Sequence, residues 1–93
     1  MIRKRNFEEN PNAEKNPQAG KDYTLTLHND DVHDFEFVIN SLIEICDHET
    51  VQAEQCTYLV HYRGECDVKL GKYEVLKDMY DQLLEKELIV SIN

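Results

Sequence analysis

The sequence predicts an α+β fold, a two-layer βααβαβ domain in which a three-stranded antiparallel sheet packs against three helices. Three observations carry this. Apolar residues alternate with period two in three short segments, and they recur at helical spacing in the three longer segments between them. At 93 residues, 41% of them hydrophobic, the chain suffices for one thin core and not for two.

The elements follow in order. Tyr23-Thr24-Leu25-Thr26-Leu27 alternates and is rich in β-formers, which marks a strand with one face inward. His28-Asn29-Asp30-Asp31 is a polar turn. Phe35, Val38, Ile39, Leu42, Ile45 and Cys46 then form one apolar stripe of a helix, with Asp31, His33 or Asp34 as its cap and Glu36 in its first turn. Asp47 and His48 break it. A second helix opens near Glu49, places Ala53, Cys56, Thr57 and Val60 on one face, and closes at Gly64 as a left-handed cap. Cys66-Asp67-Val68-Lys69-Leu70 alternates again, and Gly71 is expected to turn the chain into a third helix carrying Tyr73, Leu76, Met79, Tyr80 and Leu83. Leu88 to Ile92 reads as a short final strand.

Charge divides the chain unevenly. Residues 1–21 hold both prolines, little large apolar surface and a net charge of +2, counting five Lys and Arg against three Glu. Such a segment cannot bury enough surface to offset its ordering entropy, so 1–21 is read as a disordered N-terminal extension and 22–93 as the folded domain. The whole chain carries −9, which argues against nucleic-acid binding, because neutralising phosphates needs a basic face. No apolar run approaches the roughly 18 residues that span a bilayer, and the N-terminus lacks a signal-peptide core, so no membrane association is expected. Cys46, Cys56 and Cys66 stand ten apart without a CxxC pair. Three unpaired thiols fit a reducing, cytoplasmic setting, and their interval reads as coincidence because the flanking residues do not repeat.

The polar turn HNDD, between a strand and a helix, is the densest chemical feature. Capping and ligand recognition both explain it on residue type alone. His61 lies near the end of the second helix beside its apolar stripe, a position shared by ordinary boundary histidines and by residues at a cavity rim. No HxxxH or CxxC places two metal ligands on one element, so no metal or other cofactor is expected. No nucleophile motif and no glycine-rich loop before a helix is present, so the chain reads as a binding module and not as an enzyme.

Taken together, Tyr23-Thr-Leu-Thr-Leu-His-Asn-Asp-Asp, Phe35-Glu36-Phe37-Val38 and Val60-His61-Tyr62-Arg63-Gly64 resemble the ClpS family. In that family a strand ends in L-x-N-D-D, a helix begins M-E-F-V and a second helix ends in V-H-x-x-G. The resemblance covers about residues 22–92, in order and without insertion. It implies an adaptor that binds N-degron substrates by a free α-amino group and a bulky hydrophobic first residue, and delivers them to a Clp-family AAA+ unfoldase for proteolysis. By the same resemblance Asn29, Asp31 and His61 meet the α-amino group, with Asp30 a cap or a partner contact. Leu27, His28, Phe35, Val38, Thr57, Val60 and Ile89 would wall the pocket. A neutral imidazole at His61 can accept from an ammonium group, as an amide oxygen or a carboxylate can.

Departures from the family pattern fall at informative places. Phe35 replaces a gatekeeper Met with a stiffer ring, and Thr57 replaces another Met with a smaller, polar residue. His33-Asp34 stands for a Thr-Pro helix start. In the third helix Glu74 keeps an acidic position that the family uses to contact the unfoldase N-domain, whereas a Lys there has become Met79. The disordered extension matches the family's flexible arm in length. The alternative from another class is a ribosomal-stalk-like α+β interaction domain, which would dock partners on an acidic helical surface and have no pocket for an N-terminal residue.

Overall fold

The computed structural model describes residue 18 and residues 20–93; most of the expected extension, 1–17 and 19, lies outside the described residues. Strand β1 (Asp22–His28) is followed by helices α1 (Phe35–Cys46) and α2 (Thr50–Arg63), strand β2 (Glu65–Lys72), helix α3 (Tyr73–Glu85) and strand β3 (Ile89–Ile92). β1 is the middle strand of a β2-β1-β3 sheet and pairs antiparallel with both neighbours. The expected α+β architecture, with three helices and a three-stranded antiparallel sheet, is the one observed.

The period-two pattern does what it promised. Tyr23, Leu25 and Leu27 are at most 2% exposed and join Val38, Leu42, Ala53, Val60, Leu76, Leu83 and Val90 in one core. A β-bulge between Leu25 and Thr26 shifts the register against β2, and buried Thr26 satisfies its hydroxyl on the Asp67 carboxylate at 3.0 Å.

Helix termini show how the polar residues are used. Asp34 caps α1, its carboxylate accepting from the Phe37 N–H at 2.8 Å. At the other end Asp47 turns left-handed at φ 60°. The last turn of α1 has no basic side chain of its own, and Lys69 from β2 donates to the Cys46 carbonyl at 3.1 Å instead. His48 is buried and its Nε2 donates to the Val68 carbonyl at 2.7 Å, which pins the α1–α2 connection to β2; its Nδ1 has no hydrogen-bond partner among the described residues.

One reading of an element changes in the structure. Gly71 is not a turn: it lies inside β2 opposite Tyr23, and the strand passes straight into α3 through extended Lys72 (φ −74°, ψ 150°). A single change of ψ converts strand to helix there, so no turn residue is required. Burial, reinforced by neighbouring Cys56, pushes the Cys66 thiol up to about 12, and burial pushes Cys46 up to about 11.

Candidate functional site

The site is built where β1 ends against the end of α2. The Asn29 N–H donates to the Gly64 carbonyl at 2.9 Å, while the Gly64 N–H closes α2 on the Val60 carbonyl at 3.0 Å. Gly64 takes φ 94°, a left-handed geometry that a side chain would strain. This pair of bonds lays the polar turn beside the last turn of α2. Asn29 from the turn and His61 from the helix, remote in sequence, then line one cavity.

Asp30 lines the same cavity and is the best-held group in it. Its Oδ1 accepts from the backbone N–H of Val32 at 2.8 Å and of His33 at 2.9 Å, and the His33 Nδ1 lies 3.1 Å from both carboxylate oxygens. Burial by itself would raise the Asp30 carboxyl. The two amides and the imidazole outweigh burial and hold it below its ordinary value of 3.8. An ionised carboxylate, the amide of Asn29 and the imidazole of His61 thus surround one small space, a set of acceptors suited to a cation with N–H donors.

Below these groups the wall is apolar. Leu27, Val38, Val60 and Leu88 line it, all buried. Thr57 donates its hydroxyl to the Ala53 carbonyl at 2.8 Å within its own helix, so the satisfied side chain adds no free donor to the wall. His28 is occupied on the sheet, its Nε2 2.8 Å from the Ser91 hydroxyl and its Nδ1 3.5 Å from Glu65. At the mouth Phe35 makes edge contacts with Tyr58 at 5.3 Å and His61 at 5.1 Å. The space left is about 40 Å³, where a single water needs roughly 10–15 Å³. Phe35 is one wall of this narrow space.

The structure brings together most residues the sequence singled out. Leu27, His28, Asn29, Phe35, Val38, Thr57, Val60 and His61 all line the cavity. Asp31 and Ile89 do not. Asp30 folds back onto the amides two and three residues ahead, an Asx turn that leaves Asp31 exposed, so the carboxylate at the cavity is Asp30. Ile89 pairs with His28 in the sheet and is 50% exposed, whereas Leu88, 2% exposed, supplies the apolar wall. Alternation with Val90 and Ile92 carried that second signal in the sequence, since residues of even number share the inner face. Nothing in the sequence marked His33 as a lining residue. Glu74 is exposed on α3 and Met79 packs partly against the core, both away from the cavity.

Among the described residues no group of three or more His, Cys, Asp or Glu could hold a metal ion, and no helix is long and apolar enough to cross a membrane.

A family model described as "ATP-dependent Clp protease adaptor protein ClpS" matches residues 18–88, most of the chain. The chain belongs to the ClpS family. That membership goes against the ribosomal-stalk-like alternative. Among solved structures, Agrobacterium tumefaciens ClpS2 bound to L-phenylalaninamide superposes with a TM-score of 0.70 at 22% identity, covering 78% of this chain and 95% of that one. At such identity the likeness speaks for the fold. A search of curated protein sequences finds no match.

Proposed function

We propose that this chain binds N-degron substrates, proteins with a free α-amino group and a bulky hydrophobic first residue, and hands them to a Clp-family AAA+ unfoldase in the cytoplasm. One observation carries the reading: Asn29, Asp30 and His61, from two separate stretches, line one cavity whose wall is Leu27, Val38, Val60 and Leu88. The ammonium needs acceptors and the first side chain needs a dry wall. In this reading Asp30 takes the carboxylate role that the family resemblance implied for Asp31. The L-phenylalaninamide bound by the Agrobacterium protein has this chemistry, a free α-amino group on a bulky apolar residue. The family's description as a protease adaptor supports delivery, with Glu74 and Met79 on α3 as the contact to the unfoldase N-domain.

Magnitudes are in keeping with a carrier that must release its cargo. Burying a Leu or Phe side chain contributes about 1.5–3 kcal/mol. Hydrogen bonds to a charged group contribute about 1.5–3 kcal/mol each, offset by the several kcal/mol that association costs. Micromolar affinity results. The test is fluorescence anisotropy with a Phe-initiated peptide and its N-acetylated twin. Acetylation removes the charge and two donors, so affinity should fall at least tenfold, about 1.4 kcal/mol. Equal affinity for the two peptides overturns the reading.

A further inference from the structure

We infer that His33 is a positioning residue for recognition of the α-amino group: it holds the Asp30 carboxylate at the cavity wall so that its second oxygen stays available to a cation. The inference rests on the pocket reading above and adds a residue to it.

A carboxylate on a turn between β1 and α1 has two free side-chain torsions and, left alone, would sample solvent. Asp30 does not have that freedom. Its side chain is 12% exposed and that of His33 is 13% exposed. The donors are unevenly shared: Oδ1 takes the Val32 N–H, the His33 N–H and the His33 ring, whereas Oδ2 has only its share of the ring proton at 3.1 Å. A carboxylate offers about four lone-pair sites, so the unfilled capacity lies chiefly on Oδ2. For the neutral ring to donate, its proton must be on Nδ1.

His33 is itself anchored. Its ring stacks on Phe37 with centroids 4.7 Å apart and planes 17° from parallel, and Phe37 packs against the core while carrying the Lys86 ammonium over its ring at 5.7 Å. A chain of contacts therefore runs from the core through Phe37 and His33 to the one carboxylate that lines the cavity. Asp34 caps α1 independently, so the His33–Asp30 pair is not needed to start the helix. His33 lines the cavity with Asp30.

The experiment measures binding of phenylalaninamide and of its N-acetylated form to wild type, His33→Ala and His33→Asn by titration calorimetry. Urea unfolding of each protein runs alongside. Wild type judges the pocket: if it does not separate the two ligands, the pocket reading fails and this inference falls with it. Once wild type separates them, the variants judge His33 alone. His33→Ala should weaken phenylalaninamide about tenfold and change the acetylated ligand less than about twofold. His33→Asn, whose amide still donates, should recover to within about threefold of wild type. Unchanged binding by His33→Ala overturns the inference. So does an equal loss on both ligands, or a loss that His33→Asn does not repair, since either result reduces His33 to a support for the fold.

Discussion

Two hollows among the described residues differ, and the larger of the two is the less equipped. The hollow lined by Tyr73, Lys77, Tyr80 and Ile92, between α3 and β3, measures about 240 Å³. Its one charged group, the Lys77 ammonium, already donates to Asp81 at 2.7 Å and lies 5.5 Å from the Tyr80 ring centre. The cavity where β1 meets α2 measures about 40 Å³, yet Asn29, Asp30 and His61 converge on it above an apolar wall. A chain terminus brings a cation and N–H donors, and the small cavity answers with a carboxylate, an amide and an imidazole. Volume ranks the two in one order and chemistry in the other. A site is defined by which groups are left to make bonds.

The most direct way to break that contrast is to remove the charge from the small cavity. Asp30→Ala deletes a carboxylate held by the amides of Val32 and His33 and by the His33 ring. It should cost phenylalaninamide about 1.5–3 kcal/mol, roughly ten- to a hundredfold in Kd, by calorimetry at neutral pH. Asp30→Asn, which keeps an acceptor for the two amides, separates loss of charge from loss of the turn. If both variants bind as wild type does, the cavity's acceptors are structural and the distinction between the two hollows disappears.

A smaller effect is expected from Phe35. Its ring packs on Tyr58 and His61 and lines a space too small for a large side chain, so a bulky first residue needs room that the ring takes up. Phe35→Ala removes that obstacle and also a piece of apolar wall. Trp-initiated peptides should gain on Leu-initiated ones by about 1 kcal/mol, roughly fivefold in the ratio of affinities measured by competition anisotropy. An unchanged ratio would show that Phe35 does not set the size limit, and that the narrow volume says nothing about cargo.

How far the site could be read beforehand depends on which physics placed each residue. Periodicity alone located the strands and helices, because period two and helical spacing are properties of neighbours in the chain. It also located the apolar wall up to parity, which separated Leu88 from Ile89 for any reader who counted from Val90. The choice between Asp30 and Asp31 was different. Both carboxylates suit an ammonium, and only the backbone path of the turn, with the Val32 and His33 amides folded onto Asp30, decides which one faces the cavity. His33 reads in the sequence only as a cap candidate for the same reason, since its value lies in a contact with Asp30 and a stack on Phe37. The buried His48 bond to Val68 likewise joins elements through tertiary packing, which no local pattern encodes.

The least effect should come from the larger hollow, and its smallness is what gives it weight. Lys77→Ala deletes the ion pair with Asp81 and the ammonium beside Tyr80. Hydrogen bonding to the Asp81 carboxylate outweighs burial and raises the Lys77 pKa, so the ammonium stays charged at neutral pH. Both partners are largely solvated, with side chains 45% and 54% exposed, and pairs at this i, i+4 spacing contribute only roughly 0.3–0.5 kcal/mol. Lys77→Ala should therefore lower the urea midpoint slightly and leave the Kd for phenylalaninamide within about twofold of wild type. A tenfold loss would mean that the α3–β3 hollow, six times the volume of the other but lined by no carboxylate, takes part in holding the ligand. In that case the convergence of Asn29, Asp30 and His61 would not be sufficient to define the site.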